Sequence, residues 1–431
     1  MTLVAGLVLF ISFLVMLALS IPIAISIILS SLLTMLLILP FDVTIITAAQ
    51  RMVTGIDNFT MLAIPLFVLA GILMNNGGIA FRLVNFAKVL VGRMPGSLAH
   101  TNIVGNMLFG SISGSSVAAA AAMGRIMGPL QAKQGYRKDY SAAANIASAP
   151  AGLLIPPSSL LIVYSLVSGG TSIAALFMAG YIPGILWGLT GMAVAYILAK
   201  KNNYPVSERI SWKDRFFLIL DAIPSLLLII IVIGGIVGGI FTATEGAAVA
   251  VLYAFVLSLI YKSFKIADIP NIIKETVEIT GMILLLITAS ALFSLVMSFT
   301  GLPEAISNGI LSLTENPILL LLLMNLILLL IGTFMDITPA VLIFTPIFLP
   351  IATSIGLDPV HFGIVIAFNL CIGNITPPVG SALFVGASVA NVKIESVIRT
   401  LVPYFIALIV MLLAITFIPQ LSLFLPNLFG L

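Results

Sequence analysis

Residues 151–167, AGLLIPPSSLLIVYSLV, have a second copy 221 positions downstream at 371–387, CIGNITPPVGSALFVGA. Under that shift Gly152 falls on Gly373, Pro156 on Pro377 and Pro157 on Pro378, and farther upstream Pro129 falls on Pro350 and Gly135 on Gly356. One unit is therefore written twice. Each copy breaks an apolar run with a Pro pair, and proline both lacks an N–H and disrupts the bond to the carbonyl one turn back. A chain of this kind must fold as two related halves, each holding a helix interrupted at the same place.

The halves are built for a membrane. Of 431 residues, 61% are apolar and 8% are charged, against about 25% charged in an ordinary soluble protein. The first 39 residues carry no charge and run straight into a second apolar segment, so we expect a retained span at the N-terminus rather than a cleaved signal peptide. A lone cysteine, Cys371, excludes disulfides within the chain, and two distant histidines, His100 and His361, argue against zinc or haem chemistry. Without a Walker A pattern, a nucleophile–base pair or a long basic tract, nothing points to ATP hydrolysis, catalysis or nucleic-acid binding. Duplicated Gly/Pro interruptions in an apolar chain are the sequence signature of a secondary transporter whose site lies between its repeats.

At about 20 apolar residues per crossing, spans are expected near 3–19, 22–39, 60–75, 140–166, 172–199, 216–240, 243–261, 279–299, 360–389 and 396–418. The stretches 96–131 and 317–352 differ, because a polar, Gly-bearing break interrupts each: FGSISGSSVA at 109–118 and GTFMDITPA at 332–340. Bare backbone at membrane depth is tolerated only where protein buries it or a watery cavity lines it. Both stretches are therefore expected to be re-entrant helical hairpins, and 140–166 and 360–389 to be Pro-broken transmembrane helices. On this assignment 16 of the 18 Lys and Arg fall on one side; Arg51 falls on the other, and Arg125 lies inside the first hairpin. The basic side is expected to be cytoplasmic and both termini periplasmic. Each half then crosses the bilayer five times, so 1–199 and 216–431 are inverted repeats joined by the polar linker 200–215. Residues 78–91, with Arg82, Asn85 and Lys88 on one face, and 301–313, with Glu304, are expected to be amphipathic surface helices.

The candidate site is the pair of hairpin tips with the two breaks. The first tip gathers Ser111, Ser113, Gly114, Ser115 and Ser116; the second, Gly332, Thr333, Asp336 and Thr338. The breaks add Pro156, Ser158 and Ser159, and Gly373, Asn374, Thr376 and Gly380. Interrupted helices aim carbonyls and hydroxyls at one point, as a hard cation such as Na⁺ requires; small residues also serve close helix packing. Asp336 would cost about 2.5–3.5 kcal/mol unpaired at the bilayer centre, so it needs a cation, a proton or a donor. Glu245, in FTATEGAAVA, reads either as functional or as the cap of a helix start. Arg125, about 13 Å beyond Ser116 along a helix, either draws an anionic solute along the cytoplasmic path or snorkels to that face.

Six collinear stretches, AQRMVTGIDNFTMLAIPLFVLAG (49–71), GSISGSSVAAAAAMG (110–124), LLIPPS (153–158), TATEGAAVA (242–250), GTFMDITPA and GNITPPVG (373–380), resemble the large membrane subunit of tripartite ATP-independent periplasmic (TRAP) transporters of the DctM/SiaM type, over essentially the whole chain. The resemblance implies an all-α elevator transporter of the bacterial inner membrane. In it a mobile domain of hairpins and broken spans slides on a scaffold and uses Na⁺ to import an organic acid. It also implies two partners, a separate small four-helix membrane subunit and a soluble periplasmic substrate-binding protein. Sialic acid is the leading expectation for the solute and a C4-dicarboxylate the second. The alternative is a self-sufficient sodium/dicarboxylate symporter or ion antiporter of related inverted-hairpin design.

Overall fold

The computed structural model describes residues 2–206, 211–263, 265–303, 305–306, 309 and 316–431. Among them the regular structure is entirely helical. The first half runs α1 (Thr2–Ala18), α2 (Ile23–Ile38), α3 (Phe41–Thr54), α4 (Ala63–Asn76), α5 (Ile79–Val91), α6 (Ser97–Ser113), α7 (Ser116–Lys133), α8 (Lys138–Ser148), α9 (Ala151–Leu154), α10 (Ser159–Val167) and α11 (Ile173–Lys201). The second runs α12 (Trp212–Val237), α13 (Ala243–Ile260), α14 (Ile269–Thr300), α15 (Pro317–Phe334), α16 (Ile337–Ser354), α17 (Pro359–Gly373), α18 (Ser381–Ala390), α19 (Ile394–Phe417) and α20 (Gln420–Leu428). Eight of the described helices are long and apolar enough to cross a membrane, or nine if the pair 138–154 and 159–167, bent by 50°, is one broken span. The expected spans at 3–19 and 22–39 are apolar helices of 17 and 16 residues.

Helix ends follow local chemistry. Ser115 caps α7 by accepting from the Ala118 N–H at 3.2 Å, and Asp358 caps α17 by accepting from the Val360 N–H at 2.7 Å. Two elements depart from the expected spans for one reason, and α20 falls beyond the last of those spans. The helix α3 falls where no element was expected, and α14 begins ten residues before 279, because Asp42, Arg51, Lys274, Glu275 and Glu278 lower the hydropathy without weakening the helix. The chain is interrupted between α3 and α4, where Asn58 caps a short 3₁₀ turn at Phe59–Leu62, whereas α14 is continuous. The expected amphipathic segment at 78–91 is α5, whose Arg82 pairs with Asp221 of α12 at 2.9 Å and lies 3.4 Å over the ring of Tyr261. Its counterpart with Glu304 falls largely outside the described residues.

Packing separates two groups of helices. α1–α4 and α12–α14 pack on one another, and α6–α11 with α15–α19 form the second group; the two meet where α4 and α5 touch α6, α4 touches α10, α11 touches α12 and α14 touches α16. Within the second group the halves exchange arms: α7 packs along α18, and α16 packs along α10. That reciprocal exchange sets one arm of each hairpin beside the broken helix of the other half.

Candidate functional site

The joint between tip and break is made the same way twice. Gly110 of α6 lies against Gly152, and Gly332 of α15 lies against Gly373. A Cβ on Gly152 would stand 2.3 Å from the Gly110 backbone, and one on Gly373 2.4 Å from that of Gly332. Only hydrogen at these positions lets the backbones meet. Below each contact an Asn pair ties neighbouring helices, α6 to α8 in the first half and α15 to α17 in the second. Asn106 donates to the Asn145 side chain at 3.0 Å and to Ser148 at 2.8 Å, and Asn369 donates to the Asn325 side chain at 2.8 Å. Both breaks carry a cis bond, Pro156–Pro157 and Pro377–Pro378.

At the first tip α6 ends on Gly114 at φ +62° and α7 starts two residues later. The Ser159 hydroxyl, on the first residue of α10, donates to the Gly114 carbonyl at 3.1 Å. At the second tip Met335 is extended and Asp336 occupies the cap position of α16 without capping it. Its carboxylate turns to the break instead. Oδ1 accepts from Asn374 Nδ2 at 3.1 Å and from the Ser381 hydroxyl at 3.0 Å, while Asn374 Nδ2 also donates to Ser381 at 2.7 Å. Asp336 remains exposed, and its Oδ2 makes no hydrogen bond among the described residues. Ser116, at the start of α7, donates to Asn374 Oδ1 at 2.8 Å and so links the first tip to the second break.

The other candidates take supporting places. Ser111, Thr333 and Thr376 each donate to a carbonyl about one turn back, Ser158 donates to the Leu153 carbonyl, and Ser113 reaches the Ser115 carbonyl at 3.4 Å. Their oxygens keep lone pairs. Gly380, at φ +28°, lies so close to the Thr376 carbonyl that a Cβ would approach it to 2.7 Å. Thr338 is half-buried in the first turn of α16. Asp336 thus finds the donors that its charge requires.

Four helices, α7, α10, α16 and α18, begin at these tips and breaks, and four, α6, α9, α15 and α17, end there. The region therefore offers N–H groups to anions and carbonyls to cations. No group of three His, Cys, Asp or Glu occurs among the described residues. An oxygen-only donor set with one carboxylate suits a hard cation rather than a thiolate- or imidazole-seeking metal.

Two residues grouped with the site in sequence lie apart from it. Glu245 forms a capping box: its carboxylate accepts from the Thr242 N–H at 2.7 Å, and its own N–H donates to the Thr242 hydroxyl at 3.2 Å. Arg125 lies exposed on α7, about 13 Å along the helix from Ser116. Conversely, Ser381 and the four Asn of the joints went unread. Ser381 corresponds to Ser159 at a shift of 222, Asn106 to Asn325 at 219 and Asn145 to Asn369 at 224. A fixed shift of 221 misses all three pairs.

The TRAP transporter DctM-component family model matches residues 10–421. The chain is 55% identical to the protein YgiK of Salmonella typhimurium, over 98% of this chain and 97% of that one. It is 41% identical to the sialic acid TRAP transporter large permease SiaM of Vibrio cholerae, over 89% and 90%. Identity to the C4-dicarboxylate TRAP transporter large permease DctM of Pseudomonas aeruginosa is 39%, over 93% and 94%. In fold it is similar to the YdaH transporter of Alcanivorax borkumensis, with a TM-score of 0.64 at 15% identity over 88% of this chain and 89% of that one. The duplicated breaks, the arm exchange and a match across nearly its whole length place it together with these permeases: the chain belongs to the DctM family of tripartite ATP-independent periplasmic transporters.

Proposed function

We propose that the chain carries an organic acid across the inner membrane in company with Na⁺, receiving it from a soluble periplasmic binding protein and working beside a small four-helix membrane subunit. The observation that carries this reading is the convergence of both tips on Asn374, with Asp336 as the carboxylate among hydroxyls, carbonyls and helix ends. Na⁺ is held by the oxygens of the tips, more firmly at the second, while the N-termini of α7, α10, α16 and α18 receive the carboxylate of the solute. The group α6–α11 with α15–α19 moves as a body against the scaffold, with the Lys/Arg-rich face cytoplasmic and both termini periplasmic. Sialic acid is the preferred solute, supported by the relative SiaM, and a C4-dicarboxylate the second, supported by the relative DctM at nearly equal identity. The test is uptake by proteoliposomes holding the chain and its partners. Uptake should require Na⁺ and rise more than linearly with it; equal uptake in choline buffer under a proton gradient would overturn the coupling. Calorimetric titration of the cognate binding protein with sialic acid and succinate decides the solute, since tight succinate binding without sialic acid binding reverses the preference.

A further inference from the structure

A cavity of about 410 Å³ opens between α7, α8 and the end of α18, lined by Arg125, Gly128, Tyr136, Lys138, Ser141 and Val389 among others. Its origin is legible. Gly124, Gly128 and Ala132 fall at successive i, i+4 positions on α7, so that face carries almost no side-chain volume where it meets the cavity. A Cβ on Gly128 would touch nothing within 4 Å.

Three polar side chains around this space, Arg125, Lys138 and Ser141, have no partner among the described residues. Among the described residues, neither Arg125 nor Lys138 forms an ion pair or a side-chain hydrogen bond. The neighbouring carboxylate of Asp139 is engaged by Arg137, by the Tyr140 N–H and by the Thr400 hydroxyl. The Tyr136 hydroxyl donates to the Pro205 carbonyl at 3.3 Å. Ser141, 8% exposed, lines the cavity, and its hydroxyl, shut off from solvent, has no partner among the described residues. Two free cations, a buried free donor and apolar walls from Val389 and Ala390 suit a small anion with a carbon frame, and the volume is that of an ordinary small-molecule site.

We infer that this cavity is a second anion site, an exit station for the carboxylate solute on the Lys/Arg-rich side. Two helices join it to the tips. The helices α7 and α18 both start at the tip site, at Ser116 and Ser381, and Arg125 and Val389 lie nine and eight residues along them, about 12–13 Å in each case. A solute that leaves the tips along these two helices toward the Lys/Arg-rich side passes Arg125. The assignment as exit station rests on the organic-acid reading above; anion binding itself does not.

The experiment uses the full-length chain with Cys371→Ala and Gly128→Cys in phosphatidylcholine nanodiscs, where both faces are accessible. Maleimide labelling is timed with succinate, sialic acid or neutral erythritol. At about ten times Kd a bound carboxylate leaves about one site in ten open, so labelling should slow about tenfold. Erythritol should not protect, and Arg125→Gln with Lys138→Gln should abolish protection. A Trp212→Cys control, outside the cavity, should label at one rate throughout. Ala132→Cys on the same wall repeats the measurement should the charge variants fail to fold. No protection by either anion, equal protection in the charge variants or at the control, or protection only when phosphatidylglycerol is added would overturn the proposal, the last by assigning the cavity to a lipid head group. The assay needs neither a Na⁺ gradient nor a binding protein, so its failure and that of sodium-coupled uptake are separate results.

Discussion

The two tips occupy equivalent places in the repeat and present different chemistry on one frame. Ser159 and Ser381 each open the helix beyond a Pro pair, and each donates its hydroxyl to the facing tip. At the first tip the acceptor is a neutral backbone carbonyl, Gly114, and Ser115 is occupied in capping α7. At the second the acceptor is a carboxylate, and α16 goes without a side-chain cap because Asp336 turns away from it. The backbone frame, Gly against Gly with an Asn pair below, is shared; the charge is not. A cation at the second tip meets a full negative charge, whereas one at the first meets only dipoles, so the two tips should differ in strength although they are alike in shape.

Removing that charge has the largest expected effect. Asp336→Asn keeps the size of the side chain and leaves an amide oxygen for Asn374 and Ser381, so folding and insertion should persist. Loss of a charged partner is worth on the order of 3 kcal/mol, which predicts about a 100-fold weaker apparent Na⁺ affinity in proteoliposome uptake, with the sodium response reduced to what the neutral tip supports. Unchanged sodium dependence would make Asp336 a bracing residue and the difference between the tips inconsequential for transport.

The frame was more legible in the sequence than the chemistry. A Pro pair and a Gly recur at a constant shift because backbone geometry has few solutions: two helices can touch through their main chains only where both lack a Cβ, as at Gly110 with Gly152. Side-chain contacts have more freedom. Asn106 and Asn325 reach their partners from places that are not in register by the same shift, so the joint recurs in space without recurring in spacing. Asp336 was conspicuous by its charge in an apolar run. Ser381 stands out only once α18 is known to begin there. Glu245 was open to two readings until the Thr242 N–H placed it in a capping box. The helix α3 escaped a hydropathy rule because Asp42 in its first turn and Arg51 in its last lower the mean hydropathy of a 14-residue helix.

The shared frame yields the next test. Gly152→Ala and Gly373→Ala each push a methyl into main chain that cannot rotate aside. Overpacking of this kind costs about 1–3 kcal/mol, and the two variants should lose thermal stability in detergent to a similar degree. A loss confined to one variant would show that only one joint is structural and that the likeness of the two halves stops at the backbone trace.

The smallest effect separates the tips most finely. Ser159→Ala removes a hydrogen bond to a neutral carbonyl, and Ser381→Ala removes one to a carboxylate. Bonds between neutral groups contribute about 0.5–1.5 kcal/mol net, and bonds to charged groups about 1.5–3. If Na⁺ is drawn chiefly to the second tip, Ser381→Ala should weaken apparent sodium affinity about tenfold and Ser159→Ala about threefold or less. The direction of the difference matters more than its size, because each variant also leaves its acceptor to seek another donor. Asp336 retains Asn374 after Ser381 is truncated, while the Gly114 carbonyl loses its hydroxyl donor and becomes freer to face a cation. An increase in sodium affinity on Ser159→Ala would therefore mean that the first tip binds through that carbonyl and that Ser159 competes with the ion, which would place the stronger site on the uncharged half.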